Sequence, residues 1–237
     1  MKIIYCAFNK LSYLQEAFVS IQSLRKYGKY QNIIYLITNL NVKQSIIKTL
    51  NLCIFFTNKF NSVQLAAGAR LKILELIPFE NDEICVYLDT DIIILKELNI
   101  PTVTNKFMVY GYPNRTQKDK SFAGLLTNNH YIINQPSINT GILIFKNNII
   151  NRKILTEAWN YYFNDIINNI KISNKWEQPY LCYKLCEYNN YEHKLNNIVG
   201  EERNLNTINN KTIFNHFCTL RGDNRINLMK KYLDTTN

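Results

Sequence analysis

Short aliphatic runs and segments of helical period alternate through the first part of the chain. Residues 2–8, 33–38, 53–56 and 84–88 are apolar runs of strand length, whereas 12–28, 42–50 and 65–77 repeat apolar positions every three or four residues. Ser12, with Gln15 three positions on, fits a capping box opening the first helix, and Gly28 marks its end. The third helix stops ahead of Pro78. Strand and helix in this rhythm predict an α/β fold, a Rossmann-like, mainly parallel sheet with helices on both faces. Ligands of such sheets lie outside the carboxyl ends of the strands. Phe8, Asn9, Thr38, Asn39 and the run Asp89-Thr90-Asp91 fall at those ends and are expected to line one crevice.

The rest of the chain is less regular. A strand near 107–111 is followed by a polar stretch to 134, a strand at 141–145, helices over 152–169 and 178–188, a last strand at 213–217 and a basic tail. No repeat or Pro/Gly-rich linker interrupts it, so 1–237 reads as one domain. With 46% hydrophobic residues it can bury a sizeable core. No apolar run approaches the roughly 18–20 residues that cross a bilayer. The apolar start meets a charge at Lys10 and reads as a buried strand rather than a signal peptide, which makes a cytoplasmic protein the expectation.

Six scattered cysteines do not suggest a disulfide framework, and the spacing of Cys182, Cys186, His216 and Cys218 matches no common zinc pattern. The net charge of +10 would attract anions of several kinds. The lysines are dispersed, however, and no basic stripe with interleaved aromatics stands out, so a nucleic-acid partner is not expected.

Only seven glycines occur, and neither Gly-x-Gly-x-x-Gly nor a phosphate loop ending in Gly-Lys-Ser/Thr is present. A diphosphate held here needs another source of positive charge. Asp89 and Asp91, one residue apart at the end of a buried strand, can share a divalent cation, and hard oxygen ligands suit Mg2+ or Mn2+. Such an ion would bridge two phosphates and offset the charge of a nucleoside-diphosphate leaving group. A bare Asp-x-Asp more often caps a strand end; the apolar runs on both sides favour the metal.

Further segments fall in a recognisable order: Ser20-Ile-Gln-Ser-Leu-Arg25, Arg70-Leu-Lys72, Val86-Tyr-Leu-Asp-Thr-Asp-Ile-Ile-Ile-Leu95, Ile138-Asn-Thr-Gly-Ile-Leu-Ile-Phe145, Glu177-Gln178 and Asn215-His-Phe217. In that order the sequence resembles the family-eight retaining glycosyltransferases, which include glycogenin, galactinol synthase and bacterial lipopolysaccharide galactosyltransferases. The resemblance implies a GT-A fold, a UDP-sugar donor, and Mn2+, with Mg2+ as the alternative, bound by Asp89, Asp91 and His216. It implies a nucleotide-binding half over 1–95 and a sugar and acceptor half over 96–237. Donor contacts would come from Phe8, Asn9, Lys72, Asp89, Thr90, Asn139 and Gly141, with Glu177 and Gln178 at the reacting centre.

Two departures stand out. Glu177 replaces the Asp of many relatives, and Cys218-Thr-Leu-Arg-Gly-Asp replaces their Gly and Lys-Pro-Trp, leaving Arg221 as the residue to pair with the diphosphate. Retention is expected from the resemblance alone. No carboxylate pair of the glycosidase kind announces a double displacement, so Glu177 and Gln178 are expected to position and stabilise rather than attack. The acceptor is open among a glycan, a protein and a small polyol. Two other readings remain. One is a nucleotide-sugar-binding module without turnover. The other is a haloacid-dehalogenase-like phosphatase, which normally carries its Asp pair on the first strand, not the fourth.

Overall fold

The apolar runs become strands. The computed structural model describes residues 1–112, 114–170, 172, 176–201, 212–218, 220 and 222–235. In chain order the strands are β1 (Lys2–Ala7), β2 (Ile34–Thr38), β3 (Leu52–Phe56), β4 (Ile84–Leu88), β5 (Ile92–Ile94), β6 (Phe107–Tyr110), β7 (Asn139–Lys146), β8 (Tyr191–Glu192), β9 (Val199–Glu201) and β10 (Phe214–His216). The α-helices are α1 (Leu11–Lys26), α2 (Gln44–Leu50), α3 (Val63–Gly68), α4 (Ile73–Leu76), α5 (His130–Ile133), α6 (Ile149–Ile167), α7 (Gln178–Glu187) and α8 (Gly222–Thr235). Seven strands form a mainly parallel sheet in the order β3-β2-β1-β4-β7-β6-β8, and β5-β10-β9 form a smaller one.

The chain divides into two interleaved units. One comprises residues 2–61, 88–101 and 197–237. Its β1 runs parallel to β2, and β2 parallel to β3. Ile3, Ile4, Ile34, Leu36 and Ile37 are wholly buried, as continuous apolar runs of parallel strands require. β10 lies antiparallel to β5, pairing His216 with Ile92, and parallel to β9. α8 packs against α1, and Ile226, Leu228, Met229 and Tyr232 are buried.

The other unit holds Met1, 62–87 and 102–196. β7 is antiparallel to β6, with an irregularity between Met108 and Tyr110, and α6 packs against α7. Lys184 on α7 sits between Glu157 of α6 and Glu187, at 3.0 and 2.7 Å, and ties the two helices.

Four sequence expectations need correcting. α1 begins at Leu11 after Lys10, whose extended backbone caps it without a side-chain bond, so Ser12 lies in the first turn and makes no capping box. The single helix expected over 65–77 is three pieces: α3 capped by the Ser62 side chain on Leu65 N–H, a 3-10 turn over Ala69–Lys72, and α4. α6 starts early because Asn148 caps it, accepting from Asn151 N–H at 2.9 Å. The basic tail is the helix α8, whose buried apolar positions recur at helical spacing among its charges. No helix among the described residues is long and apolar enough to cross a membrane.

Candidate active site

β4 delivers Asp89 at its carboxyl end, and Thr90 and Asp91 follow before β5 resumes the apolar run. The antiparallel pairing of β10 with β5, closed by Phe217 N–H donating to Asp91 O at 2.9 Å, brings His216 beside Asp91. Ligand atoms of Asp89, Asp91 and His216 all lie within 4.8 Å of one another. This is the group of metal-ligand type found among the described residues. Two carboxylates and an imidazole are the oxygen and nitrogen donors that Mn2+ accepts, so the residues fit such an ion.

A buried network fixes that cluster. His216 Nε2 lies 3.2 Å from Asp91 Oδ1, and Arg225 Nη1, from α8, lies 2.9 Å from Asp91 Oδ2. The same Arg225 nitrogen is 3.3 Å from Glu16 Oε2 on α1, while its Nε donates to Leu220 O at 2.6 Å. Thr90 donates its hydroxyl to Glu16 at 3.1 Å, so this expected donor contact turns into the core of its unit. Burial alone would raise the Asp91 carboxyl; the charge and hydrogen bond of His216, and then Arg225, outweigh it and hold the group at about 2. Burial pushes the Glu16 carboxyl up, against the opposing charge of Arg225.

The strand end of β1 makes a second feature of the same unit. Asn9 sits at φ 65, and its amide N–H donates to Asn39 Oδ1 at 2.9 Å while Asn39 Nδ2 returns a bond to Asn9 Oδ1 at 2.7 Å. Asn9 Nδ2 also reaches Phe60 O at 3.3 Å, and the rings of Phe8 and Phe60 lie 5.3 Å apart.

In the other unit, Asn139 opens β7. Its Oδ1 accepts from Gly141 N–H and its Nδ2 donates to the Tyr112 hydroxyl, both at 2.7 Å. Gln178 is clamped at both ends: Oε1 accepts from Thr140 N–H at 3.4 Å, and Nε2 donates to Ser121 O at 3.0 Å. Glu177, only 3% exposed, pairs with Arg70 Nε at 2.9 Å. Arg70 Nη1 also donates to Thr140 O at 2.7 Å, and the guanidinium lies 4.9 Å from the Tyr87 ring centroid. One arginine thus joins β7 to the start of α7. Lys72 pairs with Glu75 and stands 5.6 Å from the Trp159 ring centroid. Arg221 lies outside the described residues.

No family model matches the chain, and no curated protein is similar to it in sequence. Solved structures are similar to it in fold. The galactosyltransferase LgtC, in complex with donor and acceptor sugar analogues, matches with a TM-score of 0.64 at 13% identity, over 98% of this chain and 95% of that one. An active-site mutant of LgtC gives 0.60 at 13% identity, over 99% and 97%. The apo bifunctional glycosyltransferase WbbM gives 0.64 at 12% identity over 99% of this chain, which spans 50% of the WbbM chain. This chain has the GT-A glycosyltransferase fold.

Within that GT-A fold, three residues of the site escaped the sequence reading. Glu16 and Arg225 lie on helices far from Asp91 in sequence, and nothing in their spacing announces the network. Arg70 stands in the run Arg70-Leu-Lys72, where the resemblance points to Lys72 as the functional cation. The 3-10 turn directs Arg70 onto Glu177 and Lys72 onto Glu75.

Proposed function

We propose that this protein is a metal-dependent retaining glycosyltransferase that moves a hexose or similar sugar from a UDP-sugar to a hydroxyl acceptor. The observation that carries the reading is the convergence of Asp89, Asp91 and His216 at the end of β4 in a GT-A fold. Mn2+, or Mg2+, held by these three would act as a Lewis acid on the diphosphate leaving group. Phe8 and the interlocked Asn9 and Asn39 border the nucleotide in this reading, Asn139 and Gly141 border the sugar, and Arg221 pairs with phosphate. The acceptor is a glycan, a protein or a small polyol. Six free thiols favour a reducing compartment, and we place the protein in the cytoplasm.

The state of Glu177 supports a front-face route. Its carboxylate is buried and already neutralised by Arg70, a poor setting for a nucleophile. In this route the sugar-phosphate C–O bond breaks, the acceptor oxygen bonds to the same carbon, and the acceptor proton passes to the departing phosphate oxygen. Glu177 and Gln178 hold β7 and α7 in place around the sugar. A covalent sugar found on Glu177 by mass spectrometry would overturn the route.

The reading is tested by thermal stabilisation with UDP in Mn2+, in Mg2+ and in EDTA, on the parent and on Asp91→Ala. A ligand at about 100 times its dissociation constant adds about 2.7 kcal/mol. We expect stabilisation only with metal, lost in Asp91→Ala. If neither UDP nor metal moves the transition, the reading fails. UDP binding without turnover on any sugar donor would leave a binding module.

A further inference from the structure

In the unit that carries Glu177, a cavity of about 280 Å3 lies between the start of α3 and the segment following α6. It is lined by Gln64, Ile166, Asn169, Ile170, Ile172 and Trp176. None of these is charged. The side-chain amides of Gln64 and Asn169 and the Trp176 indole N–H have no hydrogen-bond partner among the described residues; Gln64 is engaged only through its backbone carbonyl, which accepts from Tyr162 at 2.7 Å. Trp176 also holds φ 52, a left-handed backbone that a bulky side chain adopts only under strain. Such strain persists where surrounding structure imposes it, and it gathers at ligand-binding positions.

Both walls of the cavity run into residues already described. Trp176 directly precedes Glu177, and α3 leads into the turn bearing Arg70, the ion-pair partner of Glu177. The lining chemistry selects its occupant. An indole and three isoleucines suit a ring with an apolar C–H face, and two primary amides offer both donors and acceptors to a rim of hydroxyls. A phosphate or carboxylate would find no cation in the lining.

We infer that this cavity is the acceptor subsite and takes a neutral pyranose, with its apolar face on Trp176 and its hydroxyls on Gln64 and Asn169. The inference rests on the glycosyltransferase reading above and extends it from donor to acceptor.

The test uses Trp159→Phe, which leaves Trp176 as one of the chain's two tryptophans to report by fluorescence. It is titrated with lactose, maltose, cellobiose and diacetylchitobiose, with glucose 6-phosphate as the anionic control. Calorimetry on the parent with the same sugars guards against a misfolded reporter. We expect at least one neutral disaccharide to bind saturably and the phosphate not to bind. Gln64→Ala and Asn169→Gly, the latter chosen because glycine accepts the left-handed φ of 52 at that position, should each weaken binding at least tenfold. UDP stabilisation with Mn2+ is measured on the same proteins. If UDP and metal stabilise but no disaccharide binds, the subsite is wrong and the donor reading stands. Sugar binding indifferent to both substitutions also overturns it. Sugar binding without any response to UDP and metal overturns the acceptor role together with the reading it rests on.

Discussion

Arg225 Nη1 stands 2.9 Å from Asp91 Oδ2 and 3.3 Å from Glu16 Oε2, so one guanidinium from the last helix neutralises two buried carboxylates. A lysine there could not hold the same fork while Nε donates to Leu220 O.

Arg225→Met should cost about 3–5 kcal/mol in urea unfolding, because both carboxylates lose their buried counter-charge. Adding Glu16→Gln should return part of that loss by removing one of the stranded charges. On the proposed function, the affinity for Mn2+, read by electron paramagnetic resonance of free ion, should fall about 10–100-fold in both variants, as when the support of a metal ligand is removed. Recovery of affinity along with stability would show that Arg225 does not orient Asp91.

Arg70 and Glu177 form a second buried pair whose members can be separated. Arg70→Met alone should destabilise by about 3–5 kcal/mol, and Arg70→Met with Glu177→Gln by clearly less. Arg70→Lys keeps the charge but cannot reach Glu177 and Thr140 O together, and should fall between them. Equal losses in the single and double variants would mean that packing on Tyr87, not charge, sets the cost.

His193 gives the fold a pH dependence. Its two ring nitrogens are buried without a hydrogen-bond partner among the described residues, and burial pushes the imidazole down. The unfolded chain then takes up a proton more readily than the fold, starting near the ordinary value of about 6.5. Stability is complete above that value and is lost as the pH falls through it toward the lower folded value. Urea midpoints from pH 7.5 to 5.5 should therefore decline more steeply in the parent than in His193→Phe. The other two histidines are common to both proteins, so an identical decline would assign the effect to them.

Asn39→Ala removes both bonds that brace the turn at Asn9 and should cost about 1 kcal/mol, a modest figure because water reaches the site. Adding Asn9→Gly, which accepts φ 65 freely, should restore most of it in the same unfolding measurement. On the proposed function, UDP stabilisation stays weakened in both.

The parallel strands were legible because each must be apolar throughout: Ile3-Ile4-Tyr5 and Cys85-Val86-Tyr87-Leu88 leave no polar residue to bury. Asp89 and Asp91 were legible for the converse reason, as charges that interrupt such a run. The start of α1 misled because Ser12 and Gln15 have the right types at the right spacing, two residues too late for a helix capped at Lys10. α8 carried a usable signal in Ile226, Met229 and Tyr232, masked by Arg225, Lys230 and Lys231. The break at Ala69–Lys72 contains no Gly or Pro to announce it, and its partners Thr140 and Glu177 are fixed only by tertiary structure.

Asp91 and His216 are neighbours across the β5–β10 pairing, yet more than half of the chain lies between them in sequence. On a ribosome adding about 5–20 residues per second, the aspartates wait roughly 6 to 27 seconds for the strand that brings His216 and the helix that supplies Arg225. Throughout that interval Asp91 and Glu16 are like charges with no counter-charge beside them. The unit that holds Asp91 therefore cannot settle early: β10 and α8 must both be made before His216 and Arg225 stand beside Asp91, and a message truncated ahead of β10 yields the carboxylates with neither partner.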